Sequence, residues 1–100
     1  MSREAEQSVL GALLLDSDAL ARVPSLRSFH FAEGQHRRIM SAILSQAGAG
    51  QQFDPITIHG QIGGGDESLA YLNALAVSVP SARNIERYAD LVLETAAHRQ

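Results

Sequence analysis

Apolar residues recur three and four positions apart along almost the whole chain, in short blocks cut by proline and glycine. That spacing restricts the fold more than any other feature, because it suits helices and leaves little room for strands. From Glu4 to Leu15 the repeating positions are Ala5, Val9, Leu10, Leu13 and Leu14, with Glu4 and Glu6 in the first turn where carboxylates complement the helix dipole. Asp16, Ser17 and Asp18 break the run and cap a short second helix, Ala19 to Val23, which Pro24 stops. A longer helix is predicted from Glu33 to Ala47, with His36, Ile39, Met40, Ile43, Leu44 and Ala47 along its apolar stripe and Gly48 and Gly50 beyond it. Phe29 and Phe31, just before it, are expected to plug the core.

Phe53, Ile56 and Ile58 alternate as a strand would, but Asp54 followed by Pro55 is an N-cap with proline at the first helical position. A short helix to Ile62 is therefore predicted, weakened by roughly 1 kcal/mol by Gly60. Gly63 to Gly65 form a loop. Asp66 is expected to cap a fifth helix with Leu69, Leu72, Leu75, Ala76 and Val79 inward, and Pro80 to stop it. Ser81 is expected to cap the last helix, whose stripe is Ile85, Tyr88, Ala89, Val92 and Ala96. The expectation is an all-α fold, a compact bundle of about six short helices, forming one domain over residues 1–100.

Composition narrows the chemistry. The 8 basic residues are all arginine, and lysine, cysteine and tryptophan are absent. Without lysine there is no Walker A phosphate loop, Schiff base or lysine general base. Without cysteine there is no disulfide, thiol nucleophile or thiolate zinc site. A net charge of -3 supplies no basic field for nucleic acid, and no apolar run approaches the roughly 20 residues of a membrane helix. No secretory signal opens the chain, so a soluble cytoplasmic protein without catalytic, metal or cofactor residues is expected.

Individual candidates are weighed on the same terms. Gly63-Gly64-Gly65 lacks the preceding strand and following lysine of a phosphate cradle and reads as a helix connector. His30 and His36 are not at a same-face spacing, His59 is remote, and a metal site at His30 would need a partner such as Glu33. His36, on the apolar stripe, is expected to be partly buried and bonded to a carbonyl. Arg37 and Arg38 form the densest basic spot, too small for more than slight nucleic-acid contact. Asp16 and Asp18 are explained by capping. Tyr71 stands beside the Leu69, Leu72 and Leu75 stripe, where an aromatic with a polar tip suits either a core flank or a partner surface.

The stretches Glu4-Ala5-Glu6-Gln7-Ser8-Val9-Leu10-Gly11, Leu13-Leu14-Leu15-Asp16, Phe31 through His36-Arg37 and Ile39, Asp54 with Ile56-Thr57, Ala70-Tyr71-Leu72, Leu75-Ala76, and Val79-Pro80-Ser81-Ala82 with Asn84-Ile85, Tyr88-Ala89 and Val92 follow one another in a recognisable order. Together they resemble the N-terminal domain of the bacterial replicative DNA helicase family DnaB, over almost the whole chain. Pro24 to Phe31 is short and altered, the Gly63–Gly65 loop lacks several residues, and Arg83 stands where the family usually has alanine.

The resemblance implies a helical domain that forms the collar of a ring hexamer, a trimer of dimers, and associates with the C-terminal domain of a DnaG-type primase during DNA replication. It implies no ATPase chemistry here. ATP and magnesium belong to a separate C-terminal motor domain, and a helical hairpin that strengthens primase and dimer contacts follows this domain. Glu4 and Tyr71 match positions of the family's primase-facing surface. Self-association is expected as a dimer or hexamer collar in a full-length protein, and as monomer or weak dimer for these residues alone. Two other readings stay open: a stand-alone adaptor or loader-like relative without a motor domain, and a small DNA-binding protein.

Overall fold

The computed structural model describes residues 3–99 and contains five α-helices and two 3₁₀ segments, with no strand among the described residues. Helix α1 spans Arg3–Leu15, α2 Gly34–Gly48, α3 Pro55–Ile62, α4 Asp66–Val77 and α5 Ile85–His98. The 3₁₀ segments are Ser17–Arg22 and Ser28–His30.

Helix α1 is the centre of the molecule. Its Val9, Leu10, Ala12 and Leu13 are fully buried, and it packs against α2, α4, α5 and the first 3₁₀ segment. Burying such aliphatic side chains contributes about 1.5–3 kcal/mol each before chain entropy is subtracted. Helices α1 and α4 run in the same direction, since Gln7 meets Tyr71 and Gly11 lies beside Leu75 and Ser78 further along. Their backbones nearly touch. A Cβ on Gly11 would stand 2.2 Å from the Leu75 carbonyl oxygen, so this crossing requires glycine.

The predicted helices are present, with several local corrections. Residues 17–22 wind as 3₁₀ rather than α-helix, the Asp16 side chain accepting the Asp18 amide at 3.1 Å. So few residues before Pro24 leave no room for a cooperative α-turn run. Phe31 is fully buried, but Phe29 is 66% exposed. Phe29 lies inside the second 3₁₀ turn and rests on the His30 ring, with centroids 4.4 Å apart, whereas Phe31 follows the turn in extended backbone.

Asp66 is the first residue of α4 rather than its cap. Gly65 is the N-cap, its carbonyl accepting the Ser68 amide at 3.0 Å. Nor does Ser81 cap α5, which begins at Ile85 after Asn84. Its hydroxyl takes the Arg83 amide in a tight turn at 3.2 Å. Val79 is buried but lies past the end of α4, and Leu69 is only half-buried.

Helix α3 has the expected start. Asp54 Oδ1 accepts the Thr57 amide and Thr57 Oγ1 accepts the Asp54 amide, both at 2.9 Å, with Pro55 in the first turn. This reciprocal pair satisfies two amides that the helix leaves open. Gly63 and Gly64 then turn the chain with φ of 72° and 88°, which side-chain-bearing residues rarely adopt. At the other end of the molecule, Arg22 donates to the carbonyls of Ala82 and Arg83 and to the Glu86 carboxylate, fastening the first 3₁₀ segment to the start of α5.

Candidate functional site

Two of the residues buried beneath α4 are polar. Glu6 is 1% exposed and His36 is 0% exposed, so neither is the surface group its residue type suggests. Glu6 falls on the inward face of α1 with Leu10 and Leu13, and His36 on the inward face of α2 with Ile39, Met40 and Ile43. An isolated carboxylate in such a place would be very costly, and it persists only where hydrogen bonds replace water.

Those bonds are present. Glu6 Oε2 accepts the Ala32 amide at 2.7 Å, and Glu6 Oε1 lies 2.7 Å from His36 Nδ1. On the far side of the imidazole, His36 Nε2 lies 2.6 Å from the Tyr71 hydroxyl, which also accepts from Gln7 Nε2 at 3.2 Å. The imidazole and phenol planes are 8° apart with centroids 5.9 Å apart. The chain Ala32–Glu6–His36–Tyr71–Gln7 ties together α1, α2, α4 and the approach to α2. His36 is thus fully buried and bonded to a carboxylate and a phenol, where partial burial and a carbonyl partner had been expected.

Tyr71 is the outer end of this chain, half-buried on the edge of α4. It forms a shared wall between two open grooves. One lies between α1 and α4, with about 340 Å³ of open space, and is lined by Glu4, Gln7, Ser8, Tyr71, Ala74 and Ser78 among others. The second includes Arg3, Gln35, Asp66, Glu67 and Ser68. Arg3, on the wall of this second groove, is paired with Glu33. The guanidinium bond holds the Glu33 carboxyl below the usual carboxylate range, and the pairing raises Arg3 in turn. Glu4 and Tyr71, far apart in sequence, therefore line one groove.

A model of the DnaB-like helicase N terminal domain matches residues 1–94. The chain belongs to that family. It is 39% identical over 106 residues to the replicative DNA helicase DnaB of Mycobacterium leprae, and 35% identical over 105 residues to that of Geobacillus stearothermophilus. These alignments cover 96% and 99% of the chain but 17% and 23% of the relatives, so the chain spans less than about a quarter of their length. The N-terminal domain of DnaB helicase from Mycobacterium tuberculosis superposes with a TM-score of 0.84 at 38% identity, covering 95% of this chain and 72% of that one. A DnaB-like replicative helicase, described together with its interactions with primase, superposes with a TM-score of 0.84 at 30% identity, covering 95% of this chain and 24% of that one.

Within this DnaB-type domain the remaining candidates are scattered. His30 Nδ1 accepts the Arg27 amide at 2.9 Å, and among the described residues no group of three histidine or carboxylate side chains is placed to hold a metal ion. Arg37 donates to the carbonyls of Phe31 and Ala32 at 3.1 and 2.7 Å, which fixes the entry to α2. Asp54 and Asp16 are caps. Among the described residues no helix is long and apolar enough to cross a membrane. Glu6 was missed as a site residue because its first-turn position already explained a carboxylate. The available signal was its register: an acid and a histidine each occupying an inward position of an apolar stripe.

Proposed function

We propose that this domain is a protein-interaction and assembly module of a replicative DNA helicase, and that its α1–α4 groove, with Glu4 and Tyr71 on its walls, receives the C-terminal domain of a DnaG-type primase. The observation that carries this reading is the convergence of Glu4 and Tyr71 on one open groove, with Tyr71 anchored from beneath by buried groups. A rigid, half-exposed aromatic on a groove wall is the kind of side chain that concentrates binding energy in protein interfaces. The relative described with its interactions with primase supports the choice of partner. In the parent protein the domain contributes to a hexamer collar in the cytoplasm, and ATP and magnesium act in a separate motor domain.

Titration with a cognate primase C-terminal domain, followed by calorimetry, tests the proposal. Saturable binding is expected, weakened about tenfold or more by Tyr71→Ala and less by Glu4→Ala. No detectable binding, either by this chain or by a longer parent protein carrying it, would overturn the primase assignment.

A further inference from the structure

The hydrogen-bond chain that ends at Tyr71 has a direction, and the direction follows from which groups can donate. The Ala32 amide and the Gln7 amide nitrogen are donors, and an ionised carboxylate is an acceptor on both oxygens. Glu6 Oε1 therefore takes its proton from His36 Nδ1–H. With Nδ1 protonated, a neutral imidazole offers Nε2 as an acceptor, and the hydroxyl 2.6 Å away is that of Tyr71. The Tyr71 oxygen in turn accepts from Gln7. From Gln7 through Tyr71 and His36 each group then donates toward Glu6, whose other oxygen takes the Ala32 amide. An imidazolium would instead donate to the Tyr71 oxygen and leave the phenol proton turned outward.

We infer that Glu6 and His36 are positioning residues for Tyr71. They hold its ring on the groove wall and commit its hydroxyl proton inward, so that Tyr71 meets a partner as a ring face and an oxygen acceptor, never as a donor. Such a surface fits an arginine or lysine side chain, which brings N–H groups to the free lone pair and a cation to the ring. The charges beside Tyr71 agree with that occupant. Glu4 lines one groove and Asp66 and Glu67 the other, while Arg3, the one arginine among the described residues that line them, is paired with Glu33. The inference rests on the proposed docking of the primase domain in this groove, and it specifies a basic side chain of that domain as what Tyr71 receives.

The test reverses the polarity of the chain while keeping its shape. In Glu6→Gln the amide carbonyl retains the Ala32 bond and the amide nitrogen donates to His36 Nδ1. The imidazole must then carry its proton on Nε2 and donate to Tyr71, whose own proton turns outward. Nitrogen-15 NMR of the His36 ring at about pH 8 is expected to show Nδ1–H in the natural protein and Nε2–H in Glu6→Gln. Primase-domain affinity is expected to fall about tenfold in Glu6→Gln and in Tyr71→Phe, and to stay unchanged in Val92→Ala, a core truncation on α5.

If Tyr71→Ala binds primase as the natural protein does, the groove assignment fails. If Tyr71→Ala weakens binding but Glu6→Gln and Tyr71→Phe do not, the positioning role fails and the groove assignment stands. Should Glu6→Gln not fold, an Nε2–H or doubly protonated His36 in the natural protein, or full affinity in Tyr71→Phe, would overturn the inference.

Discussion

Glu6 shows how position outweighs residue type. Glu4, two residues earlier on the same helix, is exposed to water, whereas Glu6 is 1% exposed and holds two hydrogen bonds at 2.7 Å. Removing one member of such a buried set leaves the others without partners, which typically costs more than the intact set ever contributed. Glu6→Ala should therefore lower stability by about 3 kcal/mol, and Glu4→Ala by less than about 0.5 kcal/mol. Urea unfolding followed by circular dichroism checks both, and equal losses would show that Glu6 is not the buried member of the pair. The same contrast separates Phe29 from Phe31. Both are aromatic and two residues apart, but only the second leaves the 3₁₀ turn in a direction that reaches the core.

Among the elements, the α1–α4 pair is the most demanding, because its two backbones pack without an intervening side chain at Gly11. Glycine in the middle of a helix normally weakens it by roughly 0.5–1 kcal/mol relative to alanine. Here the close approach of Leu75 outweighs that propensity. Gly11→Ala should destabilise the domain by about 2 kcal/mol by driving the helices apart, although alanine is the better helix former. Because Tyr71 rides on α4, the same substitution should also weaken the proposed primase binding. Thermal unfolding decides the first point: a higher melting temperature in Gly11→Ala would mean that the helices do not touch there.

The whole molecule carries a pH dependence set by groups at its periphery. The imidazole of His30 is held below its ordinary value by burial first, then by the charges of Arg27 and Arg99. Its Nδ1 is also occupied in accepting the Arg27 amide. The unfolded chain therefore binds a proton near pH 6.5, about the ordinary imidazole value, that the folded chain resists. Stability falls as pH drops through that value and levels off below the lowered one. Glu33 acts in the same direction further down, since its carboxyl is lowered by Arg3 and the stability it supplies is lost as pH falls through the folded value. The urea midpoint should decrease on acidification from about pH 8 to about pH 2. His30→Gln should flatten the upper part of the fall and Glu33→Gln the lower part. A His30→Gln profile parallel to that of the natural protein would exclude the first contribution.

The apolar repeats of α1, α2 and α5, the Asp54-Pro55 start of α3 and the glycines after it were legible in the sequence because each is a local preference, decided within a few residues. Belonging to the DnaB family was legible from the order of those blocks. Glu4 and Tyr71 could be named as surface candidates, but their sharing of a groove depends on α1 and α4 running side by side. The buried Glu6–His36–Tyr71 chain and the glycine contact at Leu75 were decided by tertiary structure alone. In each case the energy lies between groups brought together from distant parts of the chain. Local propensity can place a carboxylate on a helix face, but only packing decides whether that face meets water or an imidazole.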